Sequence, residues 1–190
     1  MVNYPNGKQY CENKNINYGK RGMSLEDDLN STNAYYLEND IAAIYKKPTP
    51  ITICTVDYKS RQSAKITEAY FQVPSTTDYN GVYKGYYIDF EAKETHNKTS
   101  LPLEMIHQHQ IKHIEKVIRY GGKAFLIVRF VNYNETFFVK ASLFLNYINN
   151  TTRKSIPYKW FKENCPIIEY SYLVKVNYLK IFDQLIAEDF

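Results

Sequence analysis

The sequence predicts an α/β domain, and three observations point there. Residues 51–56, 86–93, 123–131 and 136–140 alternate apolar with polar side chains or run apolar, as strands do. Between them lie segments with apolar residues at helical spacing, beginning near Leu25, Leu103 and Ala141. A chain of 190 residues is long enough for one domain with a real core.

In chain order, residues 1–22 are polar, contain Gly7, Gly19 and Gly22, and show little periodicity. They read as a flexible basic arm carrying Lys8, Lys14, Lys20 and Arg21, with residues 23–190 forming the single domain. Arg21 abuts a helix start, which sets it apart from the rest of the arm. Ser24-Leu25-Glu26-Asp27 resembles a capping box. Leu25, Leu29, Tyr36, Ile41 and Ile44 extend a helical stripe to about Tyr45, and Lys46-Lys47-Pro48 ends it. Glu38 in that helix is either a solvated glutamate or an accessory acid.

Residues 44–66 hold Lys46, Lys47, Lys59, Arg61 and Lys65 against Asp57 alone. Tyr70 and Phe71 follow directly. Cations beside planar rings suit a surface that neutralises phosphates and stacks on exposed bases. The competing reading is a hydrophilic connection ending in two core aromatics.

The stretch from Thr76 to Thr95 carries the chemistry. Along the strand from Tyr86, Ile88, Phe90 and Ala92 face a core, while Asp89, Glu91 and Lys93 share the opposite, polar face. Two turns could bring Asp78 to that face. A turn at Asn80-Gly81 pairs Asp78 with Tyr83, whereas a turn at Lys84-Gly85 pairs residue 83 with 86 and, counting outward, Asp78 with Glu91. The second is expected, with Asn80-Gly81 as a bulge or kink in the first strand. Two opposed carboxylates repel unless a cation sits between them, and a hard divalent ion such as magnesium is the natural occupant. Lys93 is then placed to steady an attacking water or the charge developing on a phosphate. Asp78, Glu91 and Lys93 are therefore the candidate catalytic residues.

Residues 103–120 form an expected helix whose apolar arc contains Gln110 in its middle. Such a glutamine needs hydrogen-bond partners, either nearby backbone or a polar site beneath it. His107, His109 and His113 lack a completing ligand set for zinc and read as surface histidines. Gly121-Gly122 stops this helix, residues 132–135 turn between two strands, and helices are expected at 141–149 and 158–164. The segment 166–190 is apolar and aromatic enough to pack on the core.

Lys plus Arg number 24 and Asp plus Glu 20, a net charge of +4, which permits nucleic-acid binding without requiring it. Nineteen tyrosines accompany many Asn, Lys and Ile, as an AT-rich codon bias would produce. Three widely spaced cysteines, Cys11, Cys54 and Cys165, indicate neither a disulfide framework nor a zinc knuckle. The start has no apolar signal-like region and no apolar run approaches membrane-spanning length, so a reducing cytoplasm, next to the nucleoid, is the expected compartment and no membrane partner is expected.

The residues 74–95, PSTTDYNGVYKGYYIDFEAKET, resemble the signature of the RecU family of bacterial Holliday junction resolvases, as do YPNGK at 4–8, RGMSLE at 21–26 and KKPTP at 46–50. The likeness runs in family order to about residue 130. It implies a restriction-endonuclease-like core, with a central mixed β-sheet flanked by helices and a stalk-like insertion at about 57–76. It further implies a magnesium-dependent homodimer, manganese being a possible substitute, that nicks opposed strands of four-way junction DNA. Thr76, Asp78, Glu91 and Gln110 would surround the metal, and Lys93 would stabilise the transition state. The stalk, with Arg61, Lys65, Tyr70 and Phe71, would enter the junction, and these together with Arg21 and Lys46 are the expected DNA contacts. RecA and branch-migration proteins are the expected protein partners. The same residues leave open a restriction-type duplex nuclease or a non-catalytic junction-binding regulator.

Overall fold

The computed structural model describes residues 24–72 and 76–187. In chain order its elements are α1 (Leu25–Glu38), β1 (Ala43–Lys46), β2 (Ile51–Asp57), β3 (Lys65–Phe71), β4 (Tyr79–Tyr83), β5 (Tyr86–Thr95), β6 (Ser100–Pro102), α2 (Gln108–Arg119), β7 (Lys123–Phe130), β8 (Glu135–Lys140), α3 (Ala141–Asn149), β9 (Ser155–Pro157), α4 (Tyr158–Asn164) and α5 (Tyr178–Ala187). The central sheet has the order β1-β4-β5-β7-β8. It is mixed, because β5 and β7 run parallel while every other neighbouring pair is antiparallel.

The β4–β5 hairpin settles the choice between the two turns. Tyr83 pairs with Tyr86 and Tyr79 with Phe90. The turn residues Lys84 and Gly85 have φ of 49° and 81°, the paired left-handed geometry of the tight turn that matches strand twist. The expected bulge at Asn80-Gly81 is absent: Asn80 pairs with Asp89 and Gly81 with Ile88 without a register shift. Gly81 serves another purpose. A Cβ there would lie 2.1 Å from the Ala43 carbonyl oxygen and 2.5 Å from the Ile44 Cα, so β1 can approach β4 only because the side chain is missing.

Helix α1 begins as expected. The Ser24 hydroxyl accepts from the Asp27 amide at 3.2 Å, and the Asp27 carboxylate accepts from the Ser24 amide at 3.3 Å. The helix ends at Glu38, well before residue 45. Asn39 donates its side-chain amide back to the Tyr35 carbonyl at 2.8 Å, and Asp40 turns left-handed at φ 54°. Short polar side chains tolerate that conformation and compete with helix continuation. Ile44 is therefore a buried strand residue rather than part of a helical stripe. Glu38 sits exposed at the helix end, away from the cleft described below.

One face of the sheet packs on α1 and α5. Ile88, Phe90, Phe125, Ile127 and Phe138 meet Leu29, Tyr36, Tyr178 and Phe182 there. A row of stacked rings, Tyr79–Phe90 at 4.8 Å, Phe90–Phe125 at 4.9 Å and Phe125–Phe138 at 4.3 Å, crosses four neighbouring strands. Such pairs add about 0.5–1.5 kcal/mol each beyond the area they bury. The expected docking of the C-terminal segment on the core is met by α5. The opposite face, with Leu126, Val128, Phe130 and Val139, packs on α2, α3 and α4. There α2 starts only at Gln108, after a single 3-10 turn at Leu103–Met105, so the helix is shorter than the expected 103–120.

Strands β2 and β3 form a separate two-stranded ribbon, in which every residue of both strands is exposed. The insertion therefore begins at Ile51, earlier than the expected 57. No helix among the described residues is long and apolar enough to cross a membrane.

Candidate active site

The hairpin register carries Asp78 one position beyond the Tyr79–Phe90 pair, opposite Glu91. The Ala92 amide donates to Asp78 Oδ2 at 3.3 Å. Asp89, Glu91 and Lys93 lie beside Ala124, Leu126 and Val128 of β7, on the face that α2 covers. The predicted polar face is thus polar but not open: Asp89 and Glu91 are both 0 % exposed. Lys93 Nζ meets Glu91 Oε1 at 2.5 Å, and Gln110 Nε2 donates to the same oxygen at 2.6 Å. Gln110 is the third residue of α2, and its Oε1 accepts from the His107 amide at 2.9 Å. Closing the helix start in this way aims its amide at Glu91.

A cleft of about 720 Å³ opens above this floor. Thr76, Asp78, Lys93, Gln110, His107 and His109 line it, together with Glu26 and residues 46–50. The acidic side chain that α1 contributes is Glu26, not Glu38. Lys46, expected to contact DNA, forms an ion pair with Glu26 on the cleft wall.

Asp89, which sequence reasoning placed on this face but gave no role, is the hub of a second network. It accepts from Lys47 Nζ at 2.7 Å, from Tyr87 OH at 2.9 Å and from the Thr77 hydroxyl, and lies 3.2 Å from His113 Nε2. Lys47 is consequently not part of an open basic patch, and His113 is not half of a zinc pair. The signal available in sequence was the alternation itself, since Asp89 shares its face with Glu91.

Burial, then the neighbouring Asp78 carboxylate, push the Glu91 carboxyl up to about 7, against the opposing pull of Lys93. Glu91 Oε2 is buried and has no hydrogen-bond partner. A divalent cation beside that bare oxygen would relieve both the missing partner and the carboxylate repulsion, so the donor set fits a hard, oxygen-ligated metal. Among the described residues no three His, Cys, Asp or Glu side chains cluster for a metal. The site offers two carboxylates, Asp78 and Glu91, and the neutral oxygen of Thr76, while Gln110, whose own oxygen is taken by the His107 amide, holds Glu91 in place. His109, with its own buried Nε2 unpartnered, is held below its usual pKa by burial, then by His107 and Lys93.

Arg61, Lys65, Tyr70 and Phe71 lie on the ribbon, away from the cleft lining. Phe71 is 83 % exposed, which removes the reading of it as a core aromatic. Arg21 lies outside the described residues.

Residues 20–184 match the model of the family described as Recombination protein U. The chain belongs to the RecU family. It is 48 % identical over 204 residues to the Holliday junction resolvase RecU of Staphylococcus epidermidis, covering 99 % of this chain and 98 % of that one. It is also 48 % identical over 194 residues to the protein of the same name from Oceanobacillus iheyensis, covering 97 % and 99 %. Among solved structures, the Holliday junction resolvase Hjc of Archaeoglobus fulgidus overlaps 75 % of the chain with a TM-score of 0.42 and 12 % identity. The RecU match extends through the C-terminal third, beyond the motifs legible by eye.

The raised carboxyl of Glu91 has a signed consequence for the metal-free protein. The folded state holds this proton up to a pH of about 7, whereas the unfolded chain releases it near 4.5, the ordinary value for a glutamate. Stability from this group is therefore complete below the unfolded value and declines as pH rises toward 7. Glu91→Gln should raise the melting temperature of the metal-free protein at pH 8, by a stability gain on the order of 1–3 kcal/mol. The gain should shrink toward zero by pH 4.5, as melting curves across that range would show.

Proposed function

We propose that this chain is a Mg²⁺-dependent, structure-selective endodeoxyribonuclease that resolves four-way junctions by paired nicks in homologous recombination and repair. The observation that carries the reading is the opposition of Asp78 and Glu91 beside Lys93, with a buried carboxylate oxygen left bare. Family membership supports the same substrate. Asp78 and Glu91, with Thr76 beside them and Gln110 fixing Glu91, would hold a divalent cation, Mg²⁺ or Mn²⁺, which would supply Lewis acidity at the scissile phosphate when bound. Gln110 and Lys93 grip one oxygen of Glu91 and leave the other, buried, without a hydrogen-bond partner. Lys93, only partly exposed, presents a fixed positive charge where negative charge builds on the phosphate. Asp78→Asn, Glu91→Gln and Lys93→Ala should each lower junction cleavage by about a hundredfold or more while junction binding survives. A gel with mobile junction and matched duplex, in Mg²⁺ or EDTA, reads both. Near wild-type nicking by Glu91→Gln would remove the assignment.

The exposed ribbon favours junctions over plain duplex as substrate. A basic groove binds any DNA through phosphates, so selectivity needs something only a branch point offers, an open centre with unstacked pairs. Tyr70 and Phe71, 62 % and 83 % exposed, are free to stack there, with Arg61 and Lys65 for converging phosphates. Phe71→Ala should weaken junction binding about five- to a hundredfold more than duplex binding, because base–aromatic stacking is worth roughly 1–3 kcal/mol. Arg61→Ala should act in the same direction. An unchanged junction-to-duplex ratio would take the ribbon out of the selectivity.

Paired nicks need two sites related by two-fold symmetry, which a homodimer supplies. Light scattering at micromolar concentration should report about twice the 22.4 kDa chain mass. A species that stays monomeric both free and on DNA is incompatible with the paired-nick mechanism.

A further inference from the structure

The ribbon follows β1 in the chain, and Thr76, Thr77 and Asp78 are the first described residues after Gln72. Lys47 ties the ribbon's two roots together. The Lys47 amide donates to the Asp78 carbonyl at 2.8 Å. Its ammonium donates to Thr77 Oγ1 at 2.9 Å and to Asp89 Oδ2 at 2.7 Å. The Thr77 hydroxyl donates to the other oxygen of Asp89. The Gln72 amide donates to the Pro50 carbonyl at 3.0 Å, which closes the base of the ribbon. Asp89 and Thr77 are 0 % and 3 % exposed and the Lys47 side chain 17 %, so this is a largely buried, convergent arrangement at the cleft wall rather than a surface ion pair.

A buried ion pair adds little net stability over well-packed apolar side chains, because desolvation offsets the attraction. What it does supply is fixed geometry, since every partner must hold its place or leave a buried charge uncompensated. Here the geometry fixed is that of the residue adjoining Asp78 and of Asp78's own carbonyl. Groups that hold metal-binding residues in this way affect metal affinity and rate without touching the metal.

We propose that Asp89 is a positioning residue which, through Lys47 and Thr77, latches both roots of the ribbon to β5 and thereby sets the position of the Asp78 carboxylate. The ribbon and the active site are then one mechanical unit. Holding the ribbon roots in place holds one side of the metal site in place. This inference rests on the nuclease reading above and deepens it.

The test uses Lys47→Met, Asp89→Asn, their double variant, and Thr77→Val, which deletes one hydroxyl and little else. Four quantities are read on each: Mn²⁺ binding by the DNA-free protein, single-turnover junction cleavage across a Mg²⁺ series, junction binding in EDTA, and melting temperature. Mn²⁺ affinity and the single-turnover rate should each fall about 10–100-fold in Lys47→Met and Asp89→Asn. Junction binding in EDTA should stay within about twofold of wild type, and the double variant should be no worse than the poorer single one, as expected of groups acting as a unit. Thr77→Val should shift Mn²⁺ affinity and rate in the same direction by a smaller factor. If Asp89→Asn does not fold, Thr77→Val and Lys47→Met decide the matter. Wild-type Mn²⁺ binding and cleavage in folded Lys47→Met and Thr77→Val would overturn the proposal. So would a parallel loss of metal-free junction binding and melting temperature, which is what a purely structural pair gives. If the wild-type protein itself fails to cut junctions, the proposed function fails, and the Mn²⁺ titration still judges the latch by itself.

Discussion

The register of one hairpin organises the functional half of this molecule. The left-handed pair Lys84 and Gly85 makes a two-residue turn, and from it pairing runs outward without slip to Tyr79 and Phe90. A shift of one residue would send Asp78 and Glu91 to opposite faces, because side chains alternate along a strand. Everything downstream uses that register. Phe90 is placed to stack between Tyr79 and Phe125 in the core, while Glu91 on the other face meets Lys93 and Gln110. The same strand thus anchors the fold with one face and builds the candidate site with the other.

That second face holds charge where proteins rarely hold it. Glu91 and Asp89 are both fully buried, yet they are satisfied unequally. Asp89 is surrounded by donors from Lys47, Thr77 and Tyr87, and so is a finished structural element. Glu91 keeps one oxygen without a partner and a raised proton affinity. Perturbed groups of this kind mark functional sites because the fold tolerates the cost only where chemistry uses it. Two carboxylates two residues apart on one strand therefore have different work, and their surroundings make the difference.

The ribbon poses the converse problem. Ile51, Ile53, Val56, Ile66, Tyr70 and Phe71 stay substantially exposed on a two-stranded element that shares no sheet with the core. A hairpin by itself is marginally stable in water. Apolar and aromatic side chains in such a place are read most simply as a surface made to be covered, and branched DNA with unstacked bases is the covering that the nuclease reading supplies.

By itself the sequence determined the hairpin turn, the opposition of Asp78 and Glu91, the cap of α1, and the α/β class, because these depend on local spacing and alternation. It also placed Gln110 correctly on an apolar helix face, although the helix starts later than periodicity suggested. The tertiary structure alone decided the rest. Ile41 and Ile44 fit a helical stripe equally well until the left-handed Asp40 turned the chain into an edge strand. Asn80-Gly81 carries a strong turn signal, yet Gly81 answers to the backbone of β1, a contact with a strand some forty residues earlier in the chain. Lys47 looked like one cation in a basic run, and only the fold could show that it is committed to Asp89, a partner from another strand. Local patterns are written in neighbouring residues, whereas the use of a charge depends on what the folded chain brings beside it.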